Sequence, residues 1–421
     1  MPRPTIHVVG AGLAGLAASL RLNDGSSDVV LHEATDHAGG RCRSYYEPAL
    51  DAVIDNGNHL LLSGNHAALD YLGTVGSQAS LVGPDRAEFD FADLKSGARW
   101  RLRPNEGRLP WWIFNPRRRV PGSRARDYLA IARLLRAAPG ATIGEVIDCR
   151  GPLHDRLWDR LWHPLLLAAL NTEPEAASAA LAAAILRESL MLGGWACRPL
   201  VAHGGLSAAF IDPALKCLTS RGAQVRFGHR LRALIFEGSR VAGLDFGARK
   251  LALSAADAVV LAVPAPVAAS LVPQLTAPSE FRAIVNAHFR IAAPPGFPAI
   301  LAVVNGTVEW LFAFEGRLSV TISGADRLID TDREVLAHDL WGEVARLTSL
   351  PATLPAWQIV KERRATFAAL PAEEAKRPPA ETSWPNLVLA GDWTQTGLPA
   401  TIEGAIRSGN RAAEQLHRTG L

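Results

Sequence analysis

Cysteine is scarce in this chain, and its copies lie far apart. The 421 residues contain four cysteines, at positions 42, 149, 197 and 217, and no pair shows the C-x-x-C spacing. Zinc sites and redox-active dithiols commonly use that spacing, so the sequence predicts neither, and we expect no metal site. We interpret the four cysteines as free thiols in a reducing compartment.

Long apolar runs are also missing. The longest candidates lie between Pro164 and Leu186, but polar residues from Asn171 onward interrupt them, short of the ~18–20 apolar residues that cross a bilayer. A strand-like run, Thr5–Val9, starts almost at once, without the charged and apolar regions of a signal peptide before it. We therefore expect a soluble protein in the cytoplasm, or a peripheral one on the inner face of the membrane.

Charge of one sign is not in large excess. The formal net charge is +3, which gives no strong basic signal, and we expect no nucleic-acid partner. A chain of 421 residues is too long for one small core, so two domains are expected.

The chain begins with a dinucleotide-binding pattern. A buried strand, Ile6–Val9, runs into Gly10-Ala11-Gly12-Leu13-Ala14-Gly15, a helix follows to about Leu22, and a second strand over 29–32 ends at Glu33. In this context the first glycine permits a tight turn, the second lets the backbone approach a pyrophosphate, and the third lets helix and strand pack closely. A carboxylate at Glu33 is placed to accept the ribose hydroxyls. This pattern alone fits FAD and NAD equally.

Two further elements are rich in glycine. Gly39-Gly40-Arg41 follows Glu33 closely, and an arginine there suits bidentate contact with a phosphate. Near the other end, a strand over 386–390 leads into Gly391-Asp392-Trp393, and a helix opens within 397–409. A helix N-terminus stabilises anions.

These elements resemble the G-G-R-x-x-S and G-D…E-G-A-x-x-S-G motifs of the flavin amine oxidase and carotenoid desaturase superfamily. The resemblance implies an FAD cofactor, with Asp392 on the ribityl chain and the helix start facing the flavin pyrimidine. It also implies that Leu231 packs on the adenine. We expect Glu403 to support the helix start near Thr401 and Ile402 rather than to take part in chemistry. The predicted cofactor-binding residues are Gly10, Gly12, Gly15, Glu33, Gly39, Gly40, Arg41, Leu231, Gly391, Asp392, Thr401 and Ile402.

The expected fold is α/β, with a discontinuous Rossmann-like FAD-binding domain and a mixed α+β substrate domain. Strand patterns over 222–227, 231–234 and 258–263 complete the first domain. We predict the FAD-binding domain over 1–75, 200–275 and 385–421, and the substrate domain over 76–199 and 276–384. The latter should hold helices between 125 and 192 and β segments near 285–325 and 357–364.

A narrower resemblance rests on five segments. Residues 55–65, 161–165, 169–172, 363–367 and 391–394 look like the squalene-associated FAD-dependent desaturases of bacterial hopanoid pathways, now described as hydroxysqualene dehydroxylases. The resemblance implies reductive dehydroxylation of hydroxysqualene to squalene, with hydride passing from reduced flavin N5 to an allylic carbon. The implied partner is a C30 isoprenoid lipid. Only one dinucleotide fingerprint is present, so the sequence does not identify the electron donor.

The catalytic candidates lie in the family-specific loop after Arg41. We predict His59 and Asp55 as the groups that help hydroxide leave, with a structural hydrogen bond as the alternative for His59. His163 is a weaker candidate, because Pro164 after it would end or kink a helix. The tryptophans at 158 and 162 share a helix face and would belong to the core or to a lipid tunnel.

One segment pairs apolar bulk with cations. Leu109-Pro110-Trp111-Trp112-Ile113-Phe114 is followed by three arginines, and this combination suits docking on an anionic membrane. The alternative is a packed loop with solvated charges. The predicted membrane contacts are Trp111, Trp112, Arg117, Arg118 and Arg119.

Three other functions stay open at this point. The same flavin chemistry serves desaturases or isomerases of carotenoid-like polyenes, and only family resemblance separates them from a dehydroxylase. An amine oxidase is disfavoured because Pro399-Ala400-Thr401-Ile402 offers neither the cysteine nor the tyrosine of such enzymes. A prenyl-lipid carrier without flavin conflicts with the complete set of glycines and acids.

Overall fold

The computed structural model describes residues 3–149 and 154–419. The strands are β1 (Thr5–Val9), β2 (Asp28–His32), β3 (Ser44–Glu47), β4 (Ala52–Asp55), β5 (Leu61–Leu62), β6 (Leu81–Val82), β7 (Phe89–Asp93), β8 (Arg99–Leu102), β9 (Pro199–Ala202), β10 (Gln224–Arg226), β11 (Ala233–Glu237), β12 (Arg240–Asp245), β13 (Lys250–Ala252), β14 (Ala258–Leu261), β15 (Phe281–Phe289), β16 (Ile300–Val304), β17 (Trp310–Phe314), β18 (Arg317–Ile322), β19 (Trp357–Phe367) and β20 (Leu387–Leu389).

The α-helices are α1 (Leu13–Leu22), α2 (His66–Val75), α3 (Ile143–Val146), α4 (His163–Leu170), α5 (Ala179–Glu188), α6 (Asp212–Ser220), α7 (Ala265–Leu271), α8 (Arg333–Thr348), α9 (Pro371–Glu374) and α10 (Ile402–Arg418). Tighter 3₁₀ segments include Trp111–Phe114 and Ala125–Arg136, and wider π-type turns lead into α4 and α6.

A five-stranded parallel sheet collects three distant parts of the chain. Its strand order is β10-β2-β1-β14-β20. Helices α1 and α10 pack closely on each other, and the missing side chain of Gly409 permits this. A Cβ at Gly409 would lie only 2.2 Å from the carbonyl oxygen of Ala14. This arrangement confirms the predicted α/β class. The strand predicted from Leu231 begins later, at Ala233, because the preceding loop bonds the backbone of Glu33 and Thr35.

A seven-stranded sheet forms the other large layer, in the order β19-β15-β18-β17-β16-β7-β8. One face is apolar and packs on α8 through residues such as Leu311, Val320 and Trp341. The other face carries a row of buried polar side chains on neighbouring strands: Asn286 is paired with Thr321, and His288 with Ser319. The apolar face therefore serves packing alone, whereas the other face also carries hydrogen-bonding groups.

The helical region between 125 and 192 lies against the second sheet. Its aromatic stripe is core: Trp158, Trp162, Leu166 and Leu170 are all buried in one apolar cluster. Pro164 stands in the first turn of α4, where a missing N–H costs nothing. None of the helices within 3–149 and 154–419 is long and apolar enough to cross a membrane.

Candidate active site and flavin cradle

The glycine-rich turn between β1 and α1 has the shape that a pyrophosphate needs. A Cβ at Gly10 would lie 2.3 Å from the carbonyl oxygen of Ala262, and one at Gly15 would lie 1.9 Å from that of Gly10. At Gly12, in contrast, nothing described lies within 4 Å. The first and third glycines are therefore required by packing and the second leaves space. No side chain in the described structure caps α1, so its first N–H groups stay available to an anion.

Glu33 lies at the end of β2, beside this turn. Its carboxylate accepts hydrogen bonds from the backbone N–H of Ala11 (2.9 Å) and from the backbone N–H of Thr35 (2.9 Å). These bonds fix the carboxylate next to the turn and leave further lone pairs for ribose hydroxyls. Leu231 is buried in an apolar cluster that also contains Val9, the last residue of β1. Its contact with adenine stays a prediction.

The Gly39-Gly40-Arg41 loop closes over the glycine-rich turn. The N–H of Gly39 donates to the carbonyl of Ala11 (2.8 Å), and a Cβ at Gly40 would lie 3.7 Å from the Cα of Gly12. Arg41 donates to Asp392 Oδ2 (2.7 Å) and to the carbonyl oxygen of Ala365 (2.5 Å). Asp392 raises the pKa of the Arg41 guanidinium, which is therefore a cation. Its side chain is 46% exposed between these partners, as expected for the lining of a cleft.

The start of α10 brings the C-terminal motif to the same cleft. Thr401 Oγ1 caps the helix by accepting from the N–H of Gly404 (3.0 Å), and Ile402 is buried. Glu403 supports a helix start, but that of α2 rather than its own: it accepts from the N–H groups of Ala67 (3.1 Å) and Ala68 (2.8 Å). The N-terminus of α10 is thus tied to α2 by a buried carboxylate.

Arg407 extends this tie into the helical region. Its guanidinium donates to Glu403 (2.7 Å) and, with both remaining nitrogens, to Glu188 (2.8 and 2.7 Å). Sequence reasoning missed this network, although the spacing of four between Glu403 and Arg407 was a usable signal. The link to Glu188 joins residues 219 positions apart and has no local signal.

The loop after β4 carries the two catalytic candidates, and the structure separates their roles. Asp55 is buried and its Oδ1 accepts from Ser44 Oγ (2.6 Å) and from the N–H of Leu206 (2.8 Å). Burial raises the pKa of Asp55 and outweighs these two hydrogen bonds, each of which lowers it. Both of its donors are structural, so Asp55 anchors the loop.

His59 is only partly buried and lies close enough to feel the charge of Arg41. Burial, with a further contribution from the Arg41 cation, lowers the pKa of His59 to about 4. The imidazole is therefore neutral at pH 7 and offers one N–H donor and one acceptor nitrogen. In the described part of the chain its side chain makes no hydrogen bond, so both groups are available.

The polar face of the seven-stranded sheet holds this loop in place. Asn58 donates from its side chain to Thr321 Oγ1 (3.0 Å), and Thr321 donates to Asn286 Oδ1 (2.8 Å). The N–H of Asn58 and the carbonyl oxygen of Asn56 both bond Asn286 (3.4 Å each). Sequence reasoning missed Asn286 and Thr321, which lie more than 200 positions from the loop.

The family-specific segments also meet. Asn171 ends α4 with a left-handed backbone and donates to Thr366 Oγ1 (2.9 Å), while its Oδ1 accepts from the N–H of Gly324 (2.7 Å). Thr366 follows Ala365, whose carbonyl oxygen holds Arg41. His163 is the first residue of α4, at the opposite end of the helix from Asn171, and it pairs with Glu173 (3.2 Å). Burial lowers its pKa, but the nearby carboxylates, Glu173 above all, outweigh burial and the net pKa is raised.

A family model described as flavin-containing amine oxidoreductase matches residues 13–417. The chain belongs to this family. FAD is therefore its cofactor, and the cradle described above fits that group. Two similar curated proteins are named hydroxysqualene dehydroxylase: one from Rhodopseudomonas palustris is 57% identical over 99% of both chains, and one from Sinorhizobium fredii is 51% identical over 98% of both.

Solved structures share the fold. Cyclohexylamine oxidase from Brevibacterium oxydans superposes with a TM-score of 0.68 over 100% of both chains, at 18% sequence identity. Putrescine oxidase bound to putrescine gives a TM-score of 0.68 over 99% of both chains, at 17% identity. The α/β class is thereby confirmed, whereas the residue roles and domain boundaries stay predictions.

The outer surface corrects part of the predicted docking segment. Trp112 is only 6% exposed and packs edge-on against Tyr128 at 5.0 Å, so it is a core anchor. Arg118 and Arg119 are half-buried and donate to backbone carbonyl oxygens, including that of Ile113. The sequence could not show which of these side chains are buried, because one short 3₁₀ turn places Trp111 and Phe114 in solvent and Trp112 and Ile113 in the core. Trp111 and Arg117 are exposed as expected.

Proposed function

We propose that this protein is an FAD-dependent hydroxysqualene dehydroxylase, which replaces the hydroxyl group of hydroxysqualene by hydrogen. One observation carries the proposal: two segments typical of that group meet beside the flavin cradle, where Asn171 bonds Thr366 and the adjacent Ala365 holds Arg41. Relatives named for this activity match over nearly their whole length, which supports carrying the substrate over.

The chemistry divides between cofactor and chain. Bound reduced FAD supplies a hydride. The substrate carbon loses its oxygen, which leaves as water after gaining a proton, and the same carbon gains the hydride. The chain must hold the lipid, keep water away from the carbon that receives the hydride and assist the departing oxygen. Leu60, next to His59, packs on the apolar cluster that contains Trp158 and Trp310, so the surroundings of the loop suit a hydrocarbon chain.

His59 is the residue proposed to meet the leaving oxygen. A neutral imidazole donates a hydrogen bond to that oxygen, and the proton that completes the water comes from solvent. Asp55 is proposed to act through the loop, as a positioning residue, because both of its observed donors are structural. His163 stands apart, paired with Glu173, and is not needed in this scheme.

The role of His59 is tested with a single-turnover measurement. We expect His59→Ala to slow flavin reoxidation by hydroxysqualene about 100-fold, a usual size for the loss of one hydrogen-bond donor to a developing negative charge, while FAD content stays normal. His66→Ala, which removes an exposed histidine of α2, is the matched control. Normal rates in His59→Ala and in Asp55→Asn would contradict both assignments.

The substrate assignment is tested with a panel. The FAD-loaded protein is given hydroxysqualene with its flavin reduced by dithionite, and a carotenoid-type polyene or a diamine with its flavin oxidised and dioxygen as the electron acceptor; the products are then extracted. Squalene from hydroxysqualene alone is the expected result. A flavoprotein that acts on the polyene instead would contradict the substrate and keep the flavin chemistry.

Membrane contact is the second part of the proposal, since the substrate is a C30 lipid. The exposed fractions of Leu109, Trp111 and Phe114 are 64, 65 and 63%. Residues 99–136 contain eleven arginines against two acidic residues, whereas the whole chain has a net charge of only +3. The segment therefore carries a net charge of +9 (11 − 2) beside its exposed apolar side chains, and this combination suits an anionic bilayer.

Docking is tested by co-sedimentation with vesicles. We expect the wild type to bind vesicles that contain phosphatidylglycerol and to bind pure phosphatidylcholine weakly. Combined Trp111→Ser and Phe114→Ser substitutions should reduce binding at least tenfold. Val335→Ser, at a half-exposed position of α8, is the control. Unchanged binding in the double variant would contradict docking through this segment.

A further inference from the structure

A surface groove of about 320 Å³ lies between the β3–β4 hairpin, the turn that joins β17 to β18, and the chain just before Leu206. It is separate from the flavin cradle and from the docking segment. Its cationic lining residues are Arg317 and Arg290, and its acidic one is Glu315, which is exposed at the rim.

Arg317 is held rigidly on one side of this groove. Its guanidinium stacks on Phe314 (4.5 Å), and Nη1 donates to His288 Nδ1 (2.8 Å) and to Ser319 Oγ (2.7 Å). Burial lowers its pKa, and Asp55 partly offsets this. Within the described ranges no carboxylate lies at ion-pair distance from Arg317. A half-buried cation without a carboxylate partner is costly, and an anion would relieve that cost.

The backbone on the opposite side supplies further donors. Gly205 has a positive φ (+90°), and in the described chain neither its N–H nor that of Gly204 has an acceptor. The next two N–H groups are already used, by Asp55 Oδ1 (2.8 Å) and by Ser44 Oγ (2.9 Å). Among the described residues, the N–H groups of Gly204 and Gly205 are therefore left without an acceptor, and both glycines line the groove.

We propose that this groove binds a phosphate group of a small-molecule ligand. A fixed guanidinium and consecutive backbone N–H groups are the donors that phosphates use in proteins, because they match its tetrahedral oxygens. Arg290 adds a second cation, since its own partner Asp51 is exposed and 3.3 Å away. The shared chemistry is a phosphate; its two natural sources would be a soluble nucleotide, such as a nicotinamide reductant, or a lipid head group.

The test uses the FAD-loaded protein, so that added phosphates do not enter the flavin cradle. Calorimetric titration with pyrophosphate should give saturable binding, weakened at least tenfold by Arg290→Glu and by Arg317→Met. Arg346→Glu, an exposed arginine of α8, is the matched control and should bind normally. Because Arg317 supports neighbouring side chains, the exposed Arg290 variant decides the question if Arg317→Met does not fold.

Two further arms identify the source. Tighter binding of reduced nicotinamide adenine dinucleotide phosphate than of pyrophosphate, lost in Arg290→Glu, would support a soluble nucleotide. Vesicles of phosphatidic acid that compete with pyrophosphate for the wild type would support a head group. Absence of pyrophosphate binding at millimolar concentration, or equal binding by wild type and Arg290→Glu, would overturn the proposal. Neither result bears on whether hydroxysqualene is the substrate.

Discussion

The glycine-rich turn and the polar face of the seven-stranded sheet both hold residues of the proposed flavin site, but they are encoded differently. In the turn, Gly10, Gly15 and Glu33 act within a short stretch of chain, and each role follows from a local backbone constraint. On the sheet, Asn286 and Thr321 hold a loop that is 228 to 263 residues away. The first region is a local device, whereas the second exists only once the whole chain has folded.

The largest expected effect separates two glycines of the local device. Gly15→Ala places a Cβ against a backbone carbonyl, so we expect the apoprotein to lose about 3 kcal/mol of unfolding free energy. Gly12→Ala meets no described atom within 4 Å, so the apoprotein should keep its stability and lose FAD affinity about 100-fold. Denaturation and FAD titration measure the two effects. Equal destabilisation by both substitutions would break the distinction.

Each region contains a buried neutral histidine, so we expect the free energy of unfolding to fall at acidic pH. Burial lowers the pKa of His32 and of His288 to about 3 each, from the 6.5 of an exposed histidine. The unfolded chain binds these protons below pH 6.5 and the folded chain does not, so stability falls as pH decreases from 6.5. Each histidine should cost about 2 kcal/mol at pH 5. His288→Asn should flatten the pH dependence of unfolding; an unchanged slope would contradict burial as the cause.

The long-range device should be sensitive to one amide. Asn286→Ala removes the partner of Asn58 N–H, Asn56 C=O and Thr321. We therefore expect a loss of about 1–2 kcal/mol of unfolding free energy. We also expect weaker FAD binding. Thr74→Ala, at an exposed position of α2, should stay within about 0.5 kcal/mol. If Asn286→Ala kept both stability and FAD affinity, the sheet would not be holding the loop.

A smaller effect is expected at the link between α10 and α5. Arg407→Met leaves Glu403 with its two backbone donors, so we expect a loss of about 1 kcal/mol of unfolding free energy. Arg407→Lys should recover only part of the unfolding free energy that Arg407→Met loses, because lysine cannot bond Glu188 with two nitrogens. Comparison of thermal unfolding in the two variants measures this difference. A larger loss in Arg407→Lys than in Arg407→Met would contradict it.

The same contrast explains what the sequence could predict. The strand bounds around Gly10, the helix over 13–22 and the Arg41–Asp392 neighbourhood follow from motifs whose roles are local or are fixed by resemblance. The prediction that Glu403 supports the start of its own helix is wrong, because it accepts from the first N–H groups of α2, which only the fold brings to it. The burial of Trp112 was missed because its surroundings come from Tyr128, on a separate 3₁₀ segment.

The most direct test of the account is an anaerobic single turnover. The FAD-loaded protein is reduced with one equivalent of dithionite and mixed with hydroxysqualene, while flavin absorbance and extracted squalene are followed together. We predict that flavin reoxidation and squalene formation share one rate constant and a one-to-one stoichiometry. Squalene formed without flavin reoxidation, or reoxidation without squalene, would contradict hydride transfer from the flavin to the lipid.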